Sequence, residues 1–302
     1  MSNVSRAASK NWLSLVLIFL FTFSVSLVGA RFVRSILVGK SAAETPETAD
    51  NTAQQPIANI PPDTIELQPI IDAWAENLDG RVGVAVYDLD RNELAATYNS
   101  SNFFPINDLL GLIVAYDGYR QISLGLENAD SPIGDTTYGN CLDLIVRASS
   151  PSCTESILAD AAHSKRIADF LSELGMTQTA PAFSQTATAD DLAIFLKHVW
   201  QHDDLNLTSW AQLQDSMLDQ PTTADTDWRQ GLPSGFSTAR VYSKSSNSVN
   251  VSDDSTSYGD LALVDFVKQN RHFAIVVLSE NMPNINEFSR LATLIEGKVI
   301  EE

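Results

Sequence analysis

Two histidines, two cysteines and one glycine-flanked serine have the types and spacing that chemistry uses. His198 and His202 stand four apart near the end of an expected helix, followed by Asp203 and Asp204. Residues i and i+4 share a helix face, so imidazoles spaced this way can meet on one metal ion. No glutamate completes a His-Glu-x-x-His pattern, and the helix dipole favours histidine near a C-terminus anyway. No metal and no other cofactor is expected. Cys141 and Cys153 lie on two expected helices joined by a turn. Antiparallel packing would bring their sulfurs together, as a disulfide in an oxidising compartment or as two small buried thiols in a reducing one. Gly231-Leu232-Pro233-Ser234-Gly235 has a serine between glycines, but its spacing is not that of a nucleophile elbow and no strand precedes it. A serine three residues before a lysine would set hydroxyl and amine on one helix face, where the amine can take the hydroxyl proton. The chain has seven lysines, at 10, 40, 165, 197, 244, 268 and 298, and none has a serine three positions before it.

The elements that must position such groups fill a chain of 302 residues, 44% of them apolar. Acid outnumbers base, and unevenly. The first 43 residues carry five bases (Arg6, Lys10, Arg31, Arg34, Lys40) and no acid, which leaves 14 bases against 38 acids, a formal −24, on the remainder. Such a field repels phosphate backbones and argues against nucleic acid as a partner. It also repels an anionic membrane surface and favours solubility.

Residues 12–30 form an uncharged run, WLSLVLIFLFTFSVSLVGA. At about 1.5 Å per residue this roughly spans a hydrocarbon core of about 30 Å. We expect an uncleaved membrane anchor. The competing reading is a cleaved signal peptide, with Val28-Gly29-Ala30 near the cut, although a signal core is usually about 7–15 residues. Bases flank the run on both sides, so the charge rule leaves orientation open. Either reading puts the rest of the chain outside the cytoplasm. The expected organisation is a short cytoplasmic tail at 1–11, the anchor at 12–30, a flexible linker at 31–64 rich in Ala, Thr, Pro and Gln toward its end, and one domain at 65–302.

Within that domain, residues 65–78 pattern as an amphipathic helix, and 81–88 and 94–98 as strands across a turn at Asp90-Arg91-Asn92. Helices are expected at 108–122, 140–147, 152–162, 164–174, 189–202 and 207–218. Strands are expected at 240–245, 259–267 and 272–278, the last two a hairpin across Lys268-Gln269-Asn270-Arg271, before a helix at 284–300. This order predicts an α+β fold. A five-stranded antiparallel sheet is flanked by the N- and C-terminal helices, and the helical block forms a second lobe.

Four stretches, in order, carry a resemblance. They are RVGVAVYDLDRNELAATYNSSNFFP, CLDLIVRASSPSCTESIL, WRQGLPSG with ARVYSKSS, and YGDLALVDFVKQNRHFAIVVLSE. On these the chain resembles class A β-lactamases and related penicillin-recognising serine hydrolases over about residues 67–302. The resemblance implies three motifs. The first is Ser-x-x-Lys at the start of a buried helix. The Phe104-Pro105 lead-in puts Asp108 at the serine and Gly111 at the lysine, and a shift of one gives Asn107 and Leu110. The second, Ser-Asp-Asn, is met by Ser150-Pro151-Ser152, which also reads as a proline turn between helices. The third, Lys-Thr-Gly, is met by Lys244-Ser245-Ser246. In the family that strand borders the substrate and binds its carboxylate. Lys244 is otherwise an ordinary solvated residue on an exposed strand.

The family also deacylates through a glutamate, and here none stands between Glu173 and Glu280, while 176–187 is short for the family's Ω-loop. Asp108, just before the apolar run from Leu109 to Val114, reads as a helix cap or first-turn acid worth about 1 kcal/mol. The resemblance therefore implies a catalytically inactive domain that binds a cell-wall peptide or an envelope protein through Lys244, Ser245 and Ser246. The alternatives are an active hydrolase with Ser150, Ser152 or Asp108 as an unusual nucleophile, and a structural domain with no small ligand.

Overall fold

The period-two runs become five strands of one sheet: β1 (Arg81–Asp88), β2 (Glu93–Tyr98), β3 (Arg240–Val249), β4 (Thr256–Phe266) and β5 (Arg271–Glu280). Their order is β2-β1-β5-β4-β3, antiparallel throughout. The structure, a computed structural model, describes residues 63–179, 186–218, 222–223, 226–227, 230–249 and 256–301. The expected anchor at 12–30 and nearly all of the expected linker lie outside them. Among the described residues no helix is long and apolar enough to cross a membrane.

Both faces of the sheet are covered, which is why β5 reads as an unbroken apolar run. Phe273, Ile275 and Val277 face one core, shared with Trp74, Phe288, Leu291 and Ile295 from the helices α1 (Gln68–Ala75) and α8 (Asn286–Glu301). Ala274, Val276 and Leu278 face the other, shared with the helical lobe. The Trp74 indole N–H donates to the Glu287 carbonyl at 3.0 Å and ties the two terminal helices together. Glu296 of α8 accepts from the backbone N–H groups of Ser237 (2.9 Å) and Thr238 (2.6 Å), and so fixes the chain just before β3.

The lobe comprises α2 (Leu110–Ser123), α3 (Tyr138–Ala148), α4 (Pro151–Leu158), α5 (Ala161–Glu173), α6 (Ala189–Gln201) and α7 (Leu207–Leu218). Ten of the fourteen residues of α2 are buried, Asp117 and Gln121 among them, so this helix is enclosed nearly all round and runs through the lobe's centre. Gly83 lets the lobe approach the sheet, since a β-carbon there would lie 2.5 Å from the Phe104 ring. Cys141 of α3 and Cys153 of α4 form a disulfide, the bonded one of the two expected alternatives.

Several expected boundaries move by a few residues, and three of the shifts have a clear physical reason. The first helix starts at Gln68, because Pro69 suits a first turn, while Ile65 and Leu67 pack into the core just ahead of it. The expected helices at 152–162 and 164–174 divide earlier, because the Asp160 carboxylate accepts from the Ala162 N–H at 2.8 Å and starts α5 there. The strand expected at 240–245 runs on to Val249.

Candidate functional site

Three elements converge where the lobe meets the sheet. They are the short turn Asn107–Leu109 that leads into α2, the junction of α3 and α4, and the middle of β3. Asn107 adopts a left-handed backbone (φ 40°), and its side-chain amide donates to Ser257 Oγ at 3.1 Å. The Asp108 N–H donates to Ser246 Oγ at 3.3 Å, which pins the turn to β3. Between these elements lies a cavity of about 340 Å³. Asn107, Asp108, Gly111, Ser149, Glu155 and Asn247 contribute to its wall, with Ile145 and Pro151 adding apolar surface. That volume is within the range of small-ligand pockets.

Asp108 does not act as a helix cap. The capping positions are Ile106 for the turn and Leu109 for α2, and neither makes a side-chain capping bond. Asp108 sits inside the turn as its first-turn acid, with its side chain on the cavity wall. Burial pushes its pKa above the ordinary value, and the charge of Lys244 pulls the other way.

Lys244 departs most from expectation. It is not solvated but 1% exposed, because the lobe covers the face of β3 from which it projects. Its amine is hydrogen-bonded to Ser149 Oγ and donates to the Ser245 carbonyl at 3.3 Å. Burial pushes its pKa down to about 8, opposed by the charges of Asp108 and Asp260. Its Cε lies 3.9 Å from where a β-carbon on Gly111 would be, and Ile145 Cγ2 lies only 2.8 Å away. The space beside position 111 is thus filled from α3 and β3.

Ser245 turns away from the cavity. Its hydroxyl is bonded to Asp260, its partner across the β3–β4 ladder. Asp260 is fully buried and also accepts from the Leu232 N–H at 2.7 Å. Burial raises its pKa to about 7 against those two hydrogen bonds and the charge of Lys244. Gly231 is required there, since a β-carbon would fall 1.8 Å from Asp260 Oδ2. The glycine-flanked serine segment therefore seats a buried carboxylate. Ser234 itself is exposed and donates to the Gln230 carbonyl at 2.7 Å.

Neither serine of the second expected motif lies on the cavity wall. Ser150, not on the cavity wall, is the N-cap of α4 and accepts from the Cys153 N–H at 3.5 Å. Ser152 is exposed, with its hydroxyl 3.3 Å from that of Ser150. Ser149, which the motif reading passed over, ends α3 in a left-handed conformation (φ 49°) and presents its hydroxyl to the cavity and to Lys244. Pro151 was the signal that could have found it. Proline at the first helical position makes the preceding residue the cap and leaves the one before that to end the previous helix.

The two histidines part company. His198 Nε2 lies 3.2 Å from an Asp204 oxygen, and Asp204 also accepts from the Tyr116 hydroxyl at 2.5 Å. His202 stacks on Trp210 with ring centroids 4.2 Å apart. Their rings serve separate contacts.

Residues 130–297 match the beta-lactamase enzyme family, a stretch that holds Ser149, Lys244 and the closing hairpin. The chain belongs to that family. Its fold is also that of solved β-lactamases. A β-lactamase from Chitinophaga pinensis is 17% identical with a TM-score of 0.64, over 75% of this chain and 97% of that one. One from Xanthomonas campestris is 15% identical with a TM-score of 0.65, over 76% and 97%. A class A β-lactamase representative from Bacteroides cellulosilyticus is 14% identical with a TM-score of 0.65, over 79% and 99%. No curated protein matches the sequence. Within the β-lactamase fold, Asp108 and Gly111 stand at the head of the central helix, where the resemblance expects the catalytic serine and lysine.

Proposed function

We propose that this chain is a β-lactamase-family domain that binds in its cleft without running the family's hydrolysis, and that its ligand is a cell-wall peptide or a peptide segment of an envelope protein. Residues 12–30 anchor it in the cell membrane, and 31–64 tether the domain on the extracytoplasmic side. One observation carries the reading. The head of α2 offers a carboxylate and a glycine to the cavity, and the place for a lysine beside them is taken by Ile145 Cγ2, 2.8 Å from a Gly111 β-carbon, and by Lys244. A carboxylate nucleophile needs a positively polarised neighbour at the reacting atoms, whereas the Lys244 amine is committed to Ser149 and the Ser245 carbonyl.

An open cavity with amide, hydroxyl and carboxylate groups on its wall supports a ligand over a purely structural role. Ser246 contributes by holding the Asp108 turn, and Lys244 and Ser245 support the wall from behind. The test uses the full-length protein in detergent micelles, with a chromogenic cephalosporin for turnover and calorimetry with a muramyl pentapeptide for binding. Binding without turnover is the expected result. Steady hydrolysis by the purified protein would overturn the reading, as would the absence of any peptide binding. The Ser149–Lys244 contact favours a second reading, in which a serine does react.

A further inference from the structure

Ser149 is held in place from three sides. Its backbone is in the left-handed region, φ 49°, which a side chain disfavours. The next residue caps α4, and the Ser150 N–H donates back to the Leu144 carbonyl at 3.2 Å. The Cys141–Cys153 disulfide then clasps the two helices on either side of the junction. From the third side comes Lys244, 1% exposed, whose amine meets the Ser149 hydroxyl at the cavity wall.

We propose that Ser149 is a nucleophile and Lys244 its base, a serine–lysine pair assembled from a helix end and a neighbouring strand. This rests on the reading that ligands enter the cavity, and it names the atom on which an acyl group is captured. Neutral Lys244 Nζ takes the proton from Ser149 Oγ as Oγ bonds to an acyl carbon. The bond from that carbon to its nitrogen or oxygen leaving group breaks. The proton passes from Nζ to the leaving group, and an ester remains on Ser149. Asp108 and Glu155 stand on the same wall, so the part of the acyl donor that lies beside them is uncharged or cationic.

Asp108, from the turn before α2, is the charge on the Lys244 side of the sheet, Asp260 of β4 acts on the amine from the opposite face, and Glu155 of α4 lines the cavity. Burial brings the lysine down to about 8. Below that value the neutral fraction, and with it the reaction rate, rises about tenfold per pH unit.

The test incubates full-length protein with a fluorescent, uncharged fluorophosphonate, which phosphonylates activated serines with loss of fluoride. The adduct is mapped by peptide mass spectrometry. One adduct on Ser149 is expected, with a rate that climbs with pH and levels above about 8. Ser149→Ala abolishes it, Ser152→Ala leaves it, and Lys244→Gln slows it by about 100-fold. The pH profile of the unaltered protein stands even where Lys244→Gln fails to fold. No adduct, an adduct on another residue, or a rate indifferent to pH would overturn the pair. Peptide binding that persists without labelling leaves the binding reading intact and removes only this one. Cephalosporin hydrolysis lost in Ser149→Ala does the reverse.

Discussion

Gly111→Ala tests the filled space at the head of α2 directly. An alanine in a helix is favoured over glycine by up to about 1 kcal/mol. Here the new β-carbon would lie 2.8 Å from Ile145 Cγ2 and 3.6 Å from the Ile145 carbonyl oxygen. Ile145 is fully buried on α3, and Cγ2 is bonded directly to its Cβ, so it has no long lever to swing aside. Overpacking at such a contact costs about 1–3 kcal/mol. The balance is a net loss of about 1 kcal/mol, opposite in sign to the propensity. Urea titration of full-length protein with its disulfide intact, followed by tryptophan fluorescence, reads this as a lower midpoint at unchanged slope. Stabilisation by about 1 kcal/mol would show that α3 leaves room at position 111 and would refute the packing argument. The same geometry predicts that Asp108→Ser with Gly111→Lys restores no β-lactam turnover, because the added amine meets Ile145 and the buried Lys244.

Reducing the Cys141–Cys153 bond, which closes a loop of sequence separation 12, lowers stability by about 3 kcal/mol on loop-entropy arithmetic. Urea midpoints with and without reductant check it, and equal midpoints count against it. His272 lies 2.8 Å from Asp90 and 3.5 Å from Asp265, and its pKa is raised, first by the hydrogen bond to Asp90. A raised folded value means the stabilisation is fully present below the unfolded pKa of about 6.5 and is lost as pH climbs through the folded one. His272→Gln should flatten that part of the stability–pH curve, and an unchanged slope would assign it elsewhere. Asp108→Asn removes a charge that holds the Lys244 pKa up. The midpoint of Ser149 labelling should therefore move to lower pH, and a fixed midpoint would separate the two groups electrostatically.

Much of the fold could be read because its signals are local. The valine-rich run of β1, the apolar run of β5 and the expected helix limits at 207–218 each follow from residues next to one another in sequence. The disulfide was readable for the same reason, since one short turn separates its two helices. The site was only half legible. Asp108 and Gly111 are legible at the head of α2, and of the two roles expected for Asp108, cap or first-turn acid, the turn uses the second. The sequence offers Ser150 and Ser152 rather than Ser149, because only the packing of the α3–α4 junction on β3 shows which serine meets Lys244.

The sequence by itself determined what is missing: no lysine in this chain follows a serine by three, whatever the fold does. It could not decide what stands in that place. Lys244 occupies an alternating strand whose next residue, Ser245, points the opposite way to bond Asp260. Whether such a lysine faces water or protein depends on what packs over that strand. Here the cover comes from the turn at Asp108 and the end of α3, both more than 90 residues earlier in the chain. Only that long-range packing buries the amine, lowers its pKa toward neutrality and sets it against Ser149.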